Sequence, residues 1–388
     1  MNHSYKGKKK KNPGENPYIN LICKPISARL IILFFFSIYH IMSDKIVVLG
    51  AGVTGLTSAI SLLRKGYKDV TVVSKHVPGD WSSEYTSPWA GASILTVAAH
   101  DDYRLQEMDL YTMKEFERLS KEEPEAHVMP CKGIQYCEDP ALPGEDPHWV
   151  RKIYKDVKEI PKSELIPGVS YGYTFESFTA NVPKYLQWLV NTLRSLGGRL
   201  ERKSFESIQQ AIEEFPEATV IVNCTGLGSY YLTDVKDHTM YPIRGQTVTV
   251  RAPHIKTQHY IDASNRWTYI IPRDDGTVIC GGTVDRENRS TSPDDAITKD
   301  ILERVYKLYP EITHHKGPDH FDIVGVNVGF RPGRKGGIRL EKETRRRSNG
   351  QKVTVCHNYG HSSHGYQSSW GSCAKLVELV SNERLSKL

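Results

Sequence analysis

Arg331, Arg334 and Lys335 fall within five positions of one another in the stretch NVGFRPGRKGG, residues 327–337. An arginine offers a planar fork of donors that matches a carboxylate with two parallel hydrogen bonds. A basic cluster is more often a solvated face, so which of the three, if any, turns inward stays open at this level. His357, His361 and His364 form H-x3-H-x2-H, a spacing that hints at metal. The residues around them are rich in Gly and Ser and read as a loop without fixed ligand geometry, so no metal is expected.

A second chemical signal lies near the start of KIVVLGAGVTGLTSAISLLRKGYKDVTVVS. Gly50, Gly52 and Gly55, with Ala51, Val53 and Thr54 between them, give G-x-G-x-x-G. The spacing becomes specific because a β-branched strand (Lys45–Leu49) precedes it, a helical pattern (Thr54–Arg64) follows, and a second strand (Val70–Val73) returns. Gly50 permits the tight turn, Gly52 lets backbone approach a pyrophosphate, and Gly55 lets helix and strand pack closely. The phosphates then face the helix N-terminus. Ser74 and Lys75 stand where an Asp or Glu would accept from an adenosine ribose, which leaves the type of dinucleotide open.

The chain of 388 residues is long enough for two domains. Its net charge of +6 resides in residues 1–41, which carry seven Lys/Arg and one acid, so the remainder is neutral. No phosphate-tracking face, and hence no nucleic-acid partner, is expected. The seven cysteines form no C-x-x-C pair and point to a reducing compartment. The apolar run Leu30–Ile41 is short for a membrane span. Met42 stands directly before the first strand, and residues 1–41 are expected to be a dispensable extension. Ser386-Lys387-Leu388 spell a peroxisomal address and imply an import receptor as partner. No G-x-S-x-G or P-loop lysine motif is present.

Helical patterns cover His100–Glu122, Val182–Leu196, Asp300–Tyr309 and Gln367–Val380. Strand patterns cover Arg199–Ser204, ATVIVN ahead of a second glycine turn, MYPIRGQTVTVRA, WTYIIPR, TVICGGTV and Lys352–Cys356.

YTSPWAGAS (85–93), IVNCTGLGS, YPIRGQ, NVGFRPGRKGG and HNYGHSSHGYQSSWG (357–371) together resemble the FAD-dependent D-amino-acid oxidase family, fungal branch. The resemblance runs from about residue 44 to the C-terminus. It implies an α/β fold: a Rossmann-type FAD-binding domain (42–115, 183–240, 332–388) interleaved with an α+β substrate domain on an antiparallel sheet (116–182, 241–331). It implies FAD on the first glycine turn, with Ser82, Ser83, Trp89, Ala90 and Gly91 lining flavin and phosphates. Phe205 is implied near the adenine, Gly226 in the second turn, and Ser362, Gly365, Tyr366 and Gln367 at the flavin ring.

By the same resemblance Arg331 binds the substrate carboxylate, Tyr269 bonds it too, and Ser363 accepts from the amine. Arg334 and Lys335 are read as surface charges. The implied reaction carries a D-amino acid and oxygen to a 2-oxo acid, ammonia and hydrogen peroxide, a product suited to the peroxisome. Val284 replaces a second tyrosine of the fungal pattern. Tyr260, near the pocket roof, is not a cation, which favours neutral substrates. Arg244 and His361 keep D-aspartate open, and a non-catalytic dinucleotide-binding protein is the third reading. The resemblance leaves a homodimer open.

Overall fold

The computed structural model describes Met1 and residues 44–138, 147–262 and 267–385. The expected extension (1–41) and the tripeptide 386–388 fall outside the described residues, Met1 apart. In chain order the elements are β1 (Lys45–Leu49), α1 (Val53–Lys65), β2 (Asp69–Ser74), α2 (Tyr103–Glu122), β3 (Val128–Cys137), α3 (Pro147–Ile153), β4 (Lys155–Glu159) and β5 (Tyr171–Ala180). There follow α4 (Val182–Ser195), β6 (Arg199–Arg202), α5 (Ile208–Glu214), β7 (Ala218–Asn223), β8 (Met240–Arg251), β9 (Gln258–Asp262), β10 (Thr268–Pro272) and β11 (Thr277–Gly281). The last are α6 (Asp295–Leu308), β12 (Ile323–Arg334), β13 (Arg339–Arg346), β14 (Lys352–Tyr359) and α7 (Ser369–Leu385).

The first sheet runs β13-β14-β7-β1-β2-β6. β1 lies between β2 and β7, parallel to both, and is covered on both faces. That is why KIVVL is a continuous apolar run rather than an alternating one. Only β13, at one edge, runs antiparallel to its neighbour. α1 closes on Gly66, whose left-handed backbone (φ 110°) returns its N–H to the Leu62 and Leu63 carbonyls. α1 packs on α4 and α7, and α7 crosses α2 closely. A Cβ at Gly371 would lie 2.2 Å from the Met108 carbonyl oxygen, so only glycine permits that crossing.

The second sheet runs β12-β8-β11-β10-β9-β3-β5-β4. Its pairs are antiparallel except β3 with β9. Alternation along β10 sorts its two faces. Ile270 joins Val248, Val278 and Cys280 under Ile301, Leu302 and Val305 of α6, while Ile271 belongs to the core shared with α1 and α4. The face carrying Tyr269 and Ile271 therefore looks toward the first sheet.

Residues 45–74, 199–223 and 339–359 supply the first sheet, and 128–180, 240–281 and 323–334 the second. The boundary expected at 115/116 falls inside α2, and that at 331/332 inside β12. α6 starts at Asp295 rather than Asp300, because Asp294 caps it by accepting from the N–H groups of Ala296 and Ile297. Among the described residues no helix is long and apolar enough to cross a membrane.

Candidate active site

The glycine turn between β1 and α1 is held from several sides. Gly50 has φ +107° and donates to the Val73 carbonyl at 2.8 Å; a Cβ there would meet the Cys224 carbonyl oxygen at 2.6 Å. A Cβ on Gly55 would lie 1.9 Å from the Gly50 oxygen, so the helix rests directly on the turn. Ser87 Oγ accepts from the Val53 N–H at 3.0 Å, and the Tyr85 hydroxyl donates to the Ala51 carbonyl at 2.6 Å. Gly52, the N-cap of α1, has no side chain to cap with, and the first turn holds no acid. Apart from the Val53 N–H held by Ser87, the amide end is left for an anion.

This turn opens into a cavity of about 1460 Å³. Gly50, Ala51, Gly52, Val53, Thr54, Ser74, Lys75, Ser83, Trp89, Ala90, Gly91, Phe205 and Gly226 all line it. Ser362, Ser363, Gly365, Tyr366 and Gln367 line it as well, on the segment just before α7. Two expected residues do not. Gly55 lies behind the turn, and the carbonyl of Ser82 instead accepts from Trp89 Nε1 at 2.9 Å, orienting that indole. Lys75 pairs with Glu84 at 2.5 Å and is not an unpaired cation.

The far end of the same cavity holds Arg331 and Tyr269. Arg331 sits on β12 opposite Ile243, and its side chain reaches diagonally over Gly245. A Cβ at Gly245 would lie 2.4 Å from Nη1 and 2.9 Å from Nη2. Nη1 donates to the Thr283 carbonyl at 3.0 Å. Among the described residues no carboxylate pairs with Arg331. Tyr269 is placed in the same manner: Cβ atoms on Gly281 and Gly282 would fall 2.2 Å from its ring and 2.4 Å from its hydroxyl. Thus CGGT lets a strand carry an aromatic ring flat across its neighbour.

The other two cations of the cluster part ways. Lys335 is exposed, as expected. Arg334 is not a surface charge: its Nε donates to Asp237 Oδ2 at 2.8 Å, and the Tyr359 hydroxyl donates to the same oxygen. Burial works against ionising Asp237, yet the donors from Arg334, Thr239 and Tyr359 outweigh it and hold that carboxyl well below the usual range.

The histidines do not converge on a common point. His357 Nδ1 lies 3.2 Å from Asn223 Nδ2, and His361 Nε2 lies 3.0 Å from Ser372 Oγ. Burial drives His361 down to about 3 and His364 to about 4, so both are neutral at pH 7. Arg244 is buried, bonded to the carbonyls of Ser290 and Ser292, and outside the cavity lining. Neither residue is a cation available to a second carboxylate.

Residues 45–379 match the family model described as DAO, FAD dependent oxidoreductase. The chain belongs to this FAD-dependent oxidoreductase family. A D-amino-acid oxidase of Schizosaccharomyces pombe is 40% identical over 345 residues, covering 86% of this chain and 95% of that one. A D-aspartate oxidase of Talaromyces thermophilus is 30% identical over 371 residues, covering 89% and 97%. The fold is that of a glycine oxidase from Geobacillus kaustophilus, at TM-score 0.66 and 17% identity, covering 87% and 94% of the two chains.

FAD, the cofactor of this family, fits the residues present. The bare backbone of Gly50 and Gly52 at the cavity wall, beside a helix whose N-cap glycine carries no side chain and whose first turn carries no acid, suits a pyrophosphate, and the volume exceeds that of an ordinary small-molecule pocket of about 300–1,000 Å³. The rim adds residues that the sequence did not single out: Tyr241, Trp267, Arg286 and Arg289. The Arg286 guanidinium lies 5.8 Å from the Tyr241 ring centroid. Val284 is also on this rim, 60% exposed. Tyr260 is wall: its hydroxyl bonds Ser93 Oγ and Gln258 Oε1, and burial raises its pKa.

Proposed function

We propose that this chain oxidatively deaminates D-amino acids, with neutral side chains preferred, yielding a 2-oxo acid, ammonia and hydrogen peroxide. The observation that carries this is the single cavity joining the glycine turn to Arg331 and Tyr269, in a chain whose curated relatives include D-amino-acid oxidases. FAD, when bound, accepts a hydride from the substrate Cα and hands the electrons to oxygen.

The chain's own residues do the rest. Residues of the first sheet and the turns after its strands hold the cofactor, and the second sheet presents the substrate. Arg331 grips the carboxylate, Tyr269 adds a bond to it, and Ser363 takes the amine, so that Cα–H points in one direction. An L-amino acid held by the same carboxylate grip would place its side chain where the hydrogen belongs. An amine arriving neutral needs no protein base. Peroxide released from a D- and L-amino-acid panel tests the assignment; equal rates with both enantiomers, or none with either, would refute it.

Preference for neutral side chains rests on the closed Tyr260 wall, on Arg244 lying outside the cavity lining and on His361 being neutral. Arg286 and Arg289 on the rim favour a second reading, in which an acidic side chain is also accepted. The kcat/KM ratio for D-alanine over D-aspartate separates the two. Where Ser386-Lys387-Leu388 form a free C-terminus, we place the enzyme in the peroxisome; loss of import on replacing Leu388, with activity intact, is the expected result.

A further inference from the structure

Asp109 lies on α2, is 1% exposed, and takes no part in the roles assigned above. One of its oxygens, Oδ2, accepts twice: from Thr96 Oγ1 at 2.8 Å and from Gln367 Nε2 at 2.5 Å. The other, Oδ1, is buried without a hydrogen-bond partner. Gln367 lines the cavity and belongs to the segment before α7. Leu95 and Val97, on either side of Thr96, line it as well. One carboxyl therefore ties two walls of the cavity together from behind.

The chemistry of an amide makes this tie directional. A glutamine can offer either its NH₂ or its oxygen to a ligand. Here the NH₂ is committed to Asp109, so the atom left for the cavity is Oε1, an acceptor. We propose that Asp109 is a positioning residue that fixes the Gln367 amide with its oxygen toward the flavin, where it receives the donors the cofactor offers, the ring N3–H or a ribityl hydroxyl. Burying a carboxyl with a bare oxygen costs stability, and a leucine would fill the same space at no such cost. An acid at this position is explained if it orients a group in contact with a ligand. This inference rests on the flavin lying beside Gln367.

FAD titrated into the apoprotein and followed by flavin fluorescence tests it. Gln367→Leu and Asp109→Leu should each raise the Kd for FAD about tenfold, the effect of about one net hydrogen bond. Asp109→Asn, whose amide oxygen still accepts from Thr96 and Gln367, should stay within about threefold of wild type. The decisive arm is the double variant: if Asp109 acts through Gln367, Asp109→Leu adds nothing in a Gln367→Leu background. Thr96→Val, which strips one donor from the same oxygen, is the milder variant should Asp109→Leu fail to fold. It should weaken FAD binding only when Gln367 is present. Penalties that add, or an unchanged Kd in Asp109→Leu, overturn the role of Asp109. A wild-type chain that binds FAD while a Gln367→Leu variant binds it equally well overturns instead the placement of the flavin at Gln367.

Discussion

The Arg331 guanidinium lies against the bare backbone of Gly245, two strand positions along from its ladder partner Ile243. The glycine matters for the side chain it lacks. Gly245→Ala would bring a Cβ to within 2.4 Å of Nη1, against the far end of a flexible side chain rather than against backbone. The guanidinium should move while the fold remains. The expected outcome is KM for D-alanine raised roughly tenfold, with the melting temperature and FAD content unchanged. Steady-state kinetics beside a thermal melt checks this.

Arg331→Ala removes the grip itself. It should raise KM by about 10²–10³ while FAD stays bound, as expected for loss of a charge-assisted, two-bond contact. Arg331→Lys restores charge but not the fork, and should recover less than half of the lost binding energy. An unchanged KM in Arg331→Ala would remove the residue from its role.

Arg334 gives a contrasting expectation. Its partner Asp237 is nearly buried and also receives the Tyr359 hydroxyl. Cutting the pair from one side should cost about 3 kcal/mol of stability and leave KM unchanged. Because the Asp237 carboxyl is held below its unfolded value, its contribution is present above the unfolded pKa and is lost as pH falls through the folded one. Urea melts of Asp237→Asn against wild type should converge at low pH.

Asp109 runs the other way. Burial pushes its carboxyl up to about 7, despite donors from Thr96 and Gln367. The folded state therefore holds a proton that the unfolded state releases near pH 4. Stability from this group is full below the unfolded pKa and is lost as pH rises toward 7, by an amount on the order of 4 kcal/mol at most. Asp109→Asn should flatten that slope between pH 4 and 7. An identical pH dependence in both proteins would show that the group is not raised.

The βαβ unit and its glycines were legible because they rest on local constraints: a buried strand, a turn and a helix N-terminus within 30 residues. The D-amino-acid oxidase motifs pointed to the segment before α7 and to Arg331, and the structure brings both to one cavity. What the sequence hid was set by distant partners or by missing atoms. Asp237 stands 97 positions from Arg334, so the pairing has no local trace. Gly245 and Gly282 fall in strand patterns that give no sign of the Arg331 and Tyr269 side chains lying against them. β13 was missed because RLEKETRR, at a sheet edge, has no apolar face, as suits a guarded edge. β3 and β5 were missed because Pro130, Gly133 and Gly172 interrupt the alternation. The rim arginines lie on a loop, where no periodicity marks them.

The most direct test mixes purified protein with D-alanine or L-alanine under nitrogen and follows the yellow absorption of the flavin. D-alanine should bleach it within seconds, L-alanine should leave it yellow, and admitting oxygen should restore the colour with release of peroxide. A colourless protein, or one bleached equally by both enantiomers, would refute stereoselective oxidation at a bound flavin.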